Sequence, residues 1–333
     1  MERRAPILRD LTIVVTGASS GIGRAAALTF VRRGARVVLA ARRAETLDGV
    51  VQECTALGGT AIAVPTDVTD IAAVRHLCDT AEERLGPIRV WVNNAGVGAV
   101  GRYTDTPIEA HVRVIETNLI GYLHGAYVVL PRFFAERQGV LINNISLGAW
   151  VPAPYAAAYA ASKYGLLGFS ESLRAELAGW RHIHVCDVFP SFMDTPGIQH
   201  GANYTGRVLK PAPPVYDPQK VADAMLRLIR RPRAAVAVGA PARLAKLAHA
   251  VAPNLTGIAT AAFLDFYLRQ AASSPITDGN LFQSMPDGRT VRGGWVGQNR
   301  PLLVAALAAS GLATFAMLLR AARGLKQTQL PAR

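Results

Sequence analysis

Thr16-Gly17-Ala18-Ser19-Ser20-Gly21-Ile22-Gly23 follows directly on a short apolar, β-branched run at 12–15 and opens a stretch of helical period at 21–33. Three glycines at a strand-to-helix turn permit a tight backbone reversal and let the main chain approach a ligand closely. The start of the helix offers unpaired N–H groups and about half a unit of positive charge, a site suited to phosphate. The spacing differs from G-x-G-x-x-G, and a glycine cluster alone is a weak sign. Its place after the first strand gives it weight.

Working outward from this turn, short apolar runs at 12–15, 36–40, 60–64, 89–92, 140–145 and 184–189 alternate with helical patterns at 21–33, 45–57, 71–85, 108–134 and 155–177. Such alternation predicts an α/β fold, a doubly wound parallel sheet of the Rossmann type. Past Pro190 the pattern changes. Pro211, Pro213, Pro214 and Pro218 break a long connection that reads as a lid or substrate loop. A helix at 219–231, a seventh strand at 234–238, helical patterns over 242–270 and a polar stretch at 273–299 follow. The expected organisation is a catalytic and cofactor-binding domain over 8–240, a helical and loop extension over 241–300, and a membrane-associated apolar helix over 301–323.

The second strand ends in Arg42 and Arg43, where a carboxylate would be expected to receive the free hydroxyls of an adenosine ribose. A guanidinium at this position instead matches a 2′-phosphate through bidentate, charge-assisted bonds, with the Ser19 hydroxyl beside it. NADP(H) is therefore preferred to NAD(H). The competing reading is that the arginines solvate the next helix.

The 333 residues carry a net charge of +13. Sixteen basic and five acidic residues fall between Lys210 and the end, a surplus of 11, so the first 209 residues hold about +2. This suits an anionic surface such as lipid or, alternatively, an arginine-rich composition without any partner; nucleic acid is the weaker reading, because the basic residues are scattered among apolar helices and match no recognition motif. Cys54, Cys78 and Cys186 are too few and scattered for a disulfide framework, and the histidines are dispersed, so reduced core thiols and no metal site are expected. The first ten residues contain no apolar stretch of signal-peptide length, and cytoplasmic synthesis is expected.

These residues, with Asp67 after the third strand, Asn93-Asn94-Ala95-Gly96 after the fourth, Asn118, Ser146 and Tyr159-Ala160-Ala161-Ser162-Lys163, resemble the short-chain dehydrogenase/reductase family over about 11–238. The resemblance implies that Thr16, Gly17, Ser19, Ser20, Gly21, Ile22 and Gly23 bind the cofactor. It further implies that Asp67 and Val68 contact adenine, that Asn94, Ala95 and Gly96 support the cleft, and that Thr195 meets the nicotinamide carboxamide. Asn118 would order its helix and a proton-relay water. One departure is Ser191, where the family usually has glycine, which leaves the path of that loop open.

The chemistry follows independently, because hydride transfer between nicotinamide and a carbonyl carbon needs a matching proton transfer at oxygen. Tyr159 is the acid/base candidate. Its unperturbed pKa of ~10 suits neutral pH only if a cation favours the phenolate, and Lys163 shares its helix face four residues on. Lys163 is the only lysine in the first 209 residues, against nineteen arginines, so a compact ammonium is kept where the chain otherwise uses arginine. Ser146 can hold the substrate oxygen, and its thirteen-residue separation from Tyr159 matches the family. Tyr155 is placed on the same helix face, and with Trp150, Phe192 and Met193 it suggests an apolar pocket.

The expected function is reduction or oxidation of a small carbonyl or alcohol, lipophilic molecules included. The alternatives are a non-catalytic NADP(H)-binding module at a membrane, and an epimerase or dehydratase on the same fold. Steroid, retinoid-like, fatty acyl and small ketone substrates all stay open, as does a homo-oligomer. The eighteen uncharged residues 302–319 would form a helix of about 27 Å against a hydrocarbon core near ~30 Å, which makes them a membrane anchor candidate.

Overall fold

The computed structural model describes residues 8–285 and 290–296, with the side chains of 240–245 left aside. The anchor candidate at 302–319 lies outside the described residues. Among those described, no helix is long and apolar enough to cross a membrane.

Seven parallel strands form the central sheet: β1 (Thr12–Thr16), β2 (Arg36–Ala41), β3 (Thr60–Pro65), β4 (Ile88–Asn93), β5 (Gly139–Asn144), β6 (Ile183–Pro190) and β7 (Ala235–Val238). Their spatial order is β3-β2-β1-β4-β5-β6-β7. The chain winds outward in one direction from β1 and then returns to its other side at β4, which opens a crevice at the carboxyl ends of β1 and β4.

Alternating side chains explain why helices cover both faces. Ile13, Val15, Val37, Leu39, Val90 and Val92 join one buried cluster with α1 (Gly21–Val31), α2 (Ala44–Ala56) and α8 (Gln219–Arg230). Val14, Val38 and Trp91 point oppositely, into a second cluster with α3 (Ile71–Leu85), α5 (Gly121–Ala135) and the end of α6 (Ala157–Glu176). Each fully buried Val, Leu, Ile or Phe contributes ~1.5–3 kcal/mol relative to exposure. Cys54, Cys78 and Cys186 are free and buried, and burial raises their thiols to about 11, 12 and 11.

The expected helix over 108–134 is divided. It begins as α4 (Ile108–Ile115), widens to one π-turn at Glu116–Ile120 and continues as α5. The π-turn places Asn118 at the site, a position where such insertions are common. Tyr155 is not on a helix: it adopts a left-handed φ of 64°, and α6 starts two residues later.

After β6 a four-residue helix α7 (Gly197–His200) leads to a short parallel pairing of Ala202–Asn203 with Ala99–Val100. The pattern over 242–270 forms two helices, α9 (Ala240–Val251) and α10 (Pro253–Gln270), split at Pro253. The chain then runs back across the crevice, bridging Ser273 to Arg207 and Thr277 to Asn203.

Candidate active site

Close packing at the end of β1 leaves room only for glycine at two positions. Gly17 has φ +64°, and a Cβ there would stand 2.8 Å from the Ala95 Cα; one on Gly23 would stand 2.2 Å from the Gly17 carbonyl. The buried Thr16 hydroxyl accepts the N–H groups of Asn94 (2.9 Å) and Ala95 (3.1 Å). The Asn94 amide returns bonds to the Thr16 and Gly17 carbonyls, and Asn144 donates to Asn94 at 2.8 Å. Three strand ends are thus laced around one turn.

Over this turn lies a cavity of about 260 Å³. Gly17, Ser19, Ser20, Gly21 and Ile22 form its floor, Asn94, Ala95 and Gly96 one side, and Arg42, Asp67 and Val68 the end beyond β2 and β3. Thr195 lines it from the β6 side. Thr16 and Gly23 stand behind the floor and shape it. Such a cradle, narrowed by glycine and ending in a guanidinium, fits a dinucleotide carrying an extra phosphate.

The Asp67 carboxylate is already engaged. It accepts from Thr69 through its N–H (3.0 Å) and hydroxyl (2.8 Å), and from Arg113 at 2.7 Å. Burial alone would raise its carboxyl, but these bonds and the Arg113 charge hold it below its ordinary value. This end of the cavity is therefore framed by an ion pair rather than by a free carboxylate. Burial also draws the Arg42 guanidinium down, with the Asp67 charge opposing it.

Asn118, Ser146, Tyr159 and Lys163 lie together outside this cavity, at the carboxyl end of β5. The Asn118 side chain accepts from Val97 N–H at 2.8 Å and donates to the Val97 carbonyl (2.9 Å) and Ser162 hydroxyl (3.3 Å), pinning the π-turn to the loop after β4. The Ser146 hydroxyl accepts from Gly148 N–H at 3.0 Å, and Gly148 sits between it and the Tyr159 ring: a Cβ there would stand 3.5 Å from that hydroxyl and 3.1 Å from the ring. Lys163 is buried, with Nζ 3.4 Å from the Asn144 carbonyl. Burial draws its ammonium down to about 7.

The expected lowering of Tyr159 by Lys163 is absent in this arrangement. Burial raises the phenol above its ordinary value, and only the nearby Ser146 hydroxyl acts against it. Both groups lose hydration, so each is driven toward its neutral form.

The sequence profile of the short chain dehydrogenase family matches residues 11–203, more than half of the chain. The chain belongs to this family. It is 34% identical over 254 residues to the uncharacterized oxidoreductase YxnA of Bacillus subtilis, covering 75% of this chain and 71% of that one. It is 40% identical to the 1-deoxy-11-beta-hydroxypentalenate dehydrogenase of Streptomyces avermitilis, over 60% of this chain and 76% of that one. Among solved structures, a metagenomic short-chain oxidoreductase in complex with NADP matches with TM-score 0.60 and 30% identity, covering 69% of this chain and 97% of that one. A short-chain type dehydrogenase/reductase from Mycobacterium marinum matches with TM-score 0.61 and 26% identity, over 69% and 94% of the two chains.

In this short chain dehydrogenase the aromatic and methionine residues expected around the substrate have other work. Trp150 stacks on Phe189 at 4.0 Å between centroids, and Met193 joins the core. Tyr155 hydrogen-bonds Asp265 on α10, while Phe192 is partly exposed. None lines the cavity described above. Ser191 adopts no positive φ and donates its N–H to the Val238 carbonyl at 2.9 Å, so this position makes no demand for glycine.

Arg113 and part of the C-terminal chain are among the contributors to the cavity that were not read from the sequence. Arg113 is a single arginine on an amphipathic helix, where charge is usual and carries no signal. Asn280, Ser284 and Met285 close the cavity from the returning C-terminal chain, beyond the residues the family profile matches.

Proposed function

We propose that this oxidoreductase uses NADP(H) to interconvert a carbonyl and an alcohol, with Tyr159 as proton donor in the direction of reduction. The gathering of Ser146 and Tyr159 around Gly148, with the buried Lys163 Nζ 5.7 Å from the Tyr159 ring centroid, carries this reading. When bound, the cofactor supplies or takes up hydride at its nicotinamide. Ser146 holds the substrate oxygen against Tyr159, the phenol delivers a proton to that oxygen as the carbon gains hydride, and Lys163 compensates the phenolate that remains. A phenol raised above its ordinary value is protonated at neutral pH and so ready as an acid. The Asn118 clamp on Val97 is a positioning element for this group. Thr195 takes the carboxamide of the nicotinamide, and Asp67 with Val68 frames adenine.

Arg42 supports NADP(H) over NAD(H), because it ends β2 at the cavity without a carboxylate partner among the described residues. The test is consumption of NADPH by purified protein against a panel of lipophilic and small ketones and aldehydes. Turnover lost in Tyr159→Phe supports the assignment; turnover retained removes it. Attachment to a membrane through 302–319 belongs to the same proposal and rests on the length of that uncharged run and its basic flanks.

A further inference from the structure

The chain that returns after α10 is fastened across the cofactor crevice at both ends. At its near end Asp278 accepts the Tyr204 hydroxyl at 2.6 Å, and Asn280 donates its N–H to the His200 carbonyl at 2.8 Å. Gly279 sits so close to His200 and Gly201 that a Cβ would stand 2.2 Å from the His200 carbonyl. At its far end Asp194 accepts the N–H groups of Gly293 (3.1 Å) and Trp295 (2.7 Å), while the Thr195 carbonyl accepts the Trp295 indole at 3.2 Å. Leu281 is wholly buried between these fastenings.

What this strap grips is the arginine pair at the end of β2. Arg42 donates to the carbonyls of Asn280 (2.5 Å), Leu281 (3.1 Å) and Phe282 (3.4 Å), and Arg43 donates to the Met285 carbonyl. Carbonyl dipoles orient a guanidinium but leave its charge in place. Among the described residues neither arginine has a carboxylate partner, whereas Arg113 nearby is matched by Asp67 and Glu116. Two oriented cations, neither held in an ion pair among the described residues and Arg42 with Asp67 at longer range, therefore face one end of a cavity whose outer wall includes Asn280, Ser284 and Met285. The Asn280 side chain adds a buried amide oxygen with no hydrogen-bond partner. Rotating that amide by half a turn presents an N–H donor in its place.

We propose that the strap Asn280–Met285 completes the 2′-phosphate subsite, with its carbonyls fixing Arg42 and Arg43 and with Asn280 and Ser284 forming the phosphate's outer wall. This rests on the NADP(H) reading above and adds a specificity element from outside the 11–203 region. The strap discriminates by phosphate, not by nicotinamide, so it is tested without turnover.

The probes are adenosine 2′,5′-bisphosphate and adenosine 5′-monophosphate, titrated calorimetrically against the full-length protein. Ser284→Asp sets a carboxylate at the phosphate wall with little change in packing, and it is expected to weaken the bisphosphate by about tenfold or more while the monophosphate changes by less than about twofold. Replacing 280–285 with a Gly/Ser sequence of equal length should act in the same direction, and should speed release of NADPH more than of NADH. Equal losses for both probes, or no loss for either in Ser284→Asp, would overturn the proposal. If the wild type prefers the bisphosphate and Arg42→Ala removes that preference while the strap variants do not, the NADP(H) reading stands and the strap inference alone falls. If the wild type shows no preference, both fall.

Discussion

Nζ of Lys163 lies 5.7 Å from the centroid of the Tyr159 ring and 5.1 Å from that of Tyr122, and its acceptor is the Asn144 carbonyl at 3.4 Å. No carboxylate is involved, and burial lowers the ammonium to about 7. An unfolded lysine titrates near ~10.4. Between these values the unfolded chain binds the proton that the folded chain has lost, so this group makes stability rise with pH through the window and exerts its full penalty below about 7. Lys163→Met is therefore expected to be more stable than the wild type at pH 6, with the difference shrinking toward about pH 10. Urea unfolding across that range measures it; a difference that grows with pH would contradict the assignment. Activity should be lost in this variant and largely lost in Lys163→Arg.

Tyr159→Phe should abolish turnover with NADPH affinity kept within about twofold, since it removes the transferable proton and little volume. In the wild type the phenol is raised above its ordinary ~10, so the acid form persists through neutrality. Reduction should decline as pH rises through about 7, where Lys163 gives up the charge that compensates the phenolate, and again through the phenol's own value, while oxidation gains from the deprotonated phenol. Steady-state rates in both directions check the sign.

Arg42→Asp should weaken NADPH and improve NADH binding, because a carboxylate repels the 2′-phosphate and accepts from free ribose hydroxyls. The ratio of dissociation constants is expected to shift by at least about 100-fold, or ~2.7 kcal/mol. Fluorescence titration with each cofactor reads it directly, and equal losses would place the phosphate elsewhere.

Removal of 301–333 should move the protein from the membrane pellet to the supernatant with its NADPH-dependent activity intact, if 302–319 attaches it. Full-length protein found in the supernatant without detergent would end that reading.

The sheet was legible because each strand alternates its apolar side chains between two covered faces, as Ile13, Val14 and Val15 do. The Tyr159/Lys163 pair was legible because a helix puts i and i+4 together. The π-turn at Asn118 was not: one added residue in a helical run leaves its apolar period nearly unchanged. Tyr155 was misplaced for a related reason, since its spacing suits a helix that begins only at Ala157. The strap left no trace because Asn280, Leu281, Phe282 and Met285 hold the arginines through backbone carbonyls, which every residue possesses.

The Gly21 N–H donates to the Thr290 carbonyl at 2.9 Å, so the opening turn of the first helix is bonded to a residue near the other end of the polypeptide. Translation proceeds from one end at ~5–20 residues per second, and the nascent chain has made all seven strands by Val238. The strap, from Asn280 onward, is synthesised seconds later. A chain still on the ribosome thus holds the glycine turn and Arg42 before it holds the proposed wall that orients them, and full affinity for a phosphorylated nucleotide would arrive only once the strap has been made.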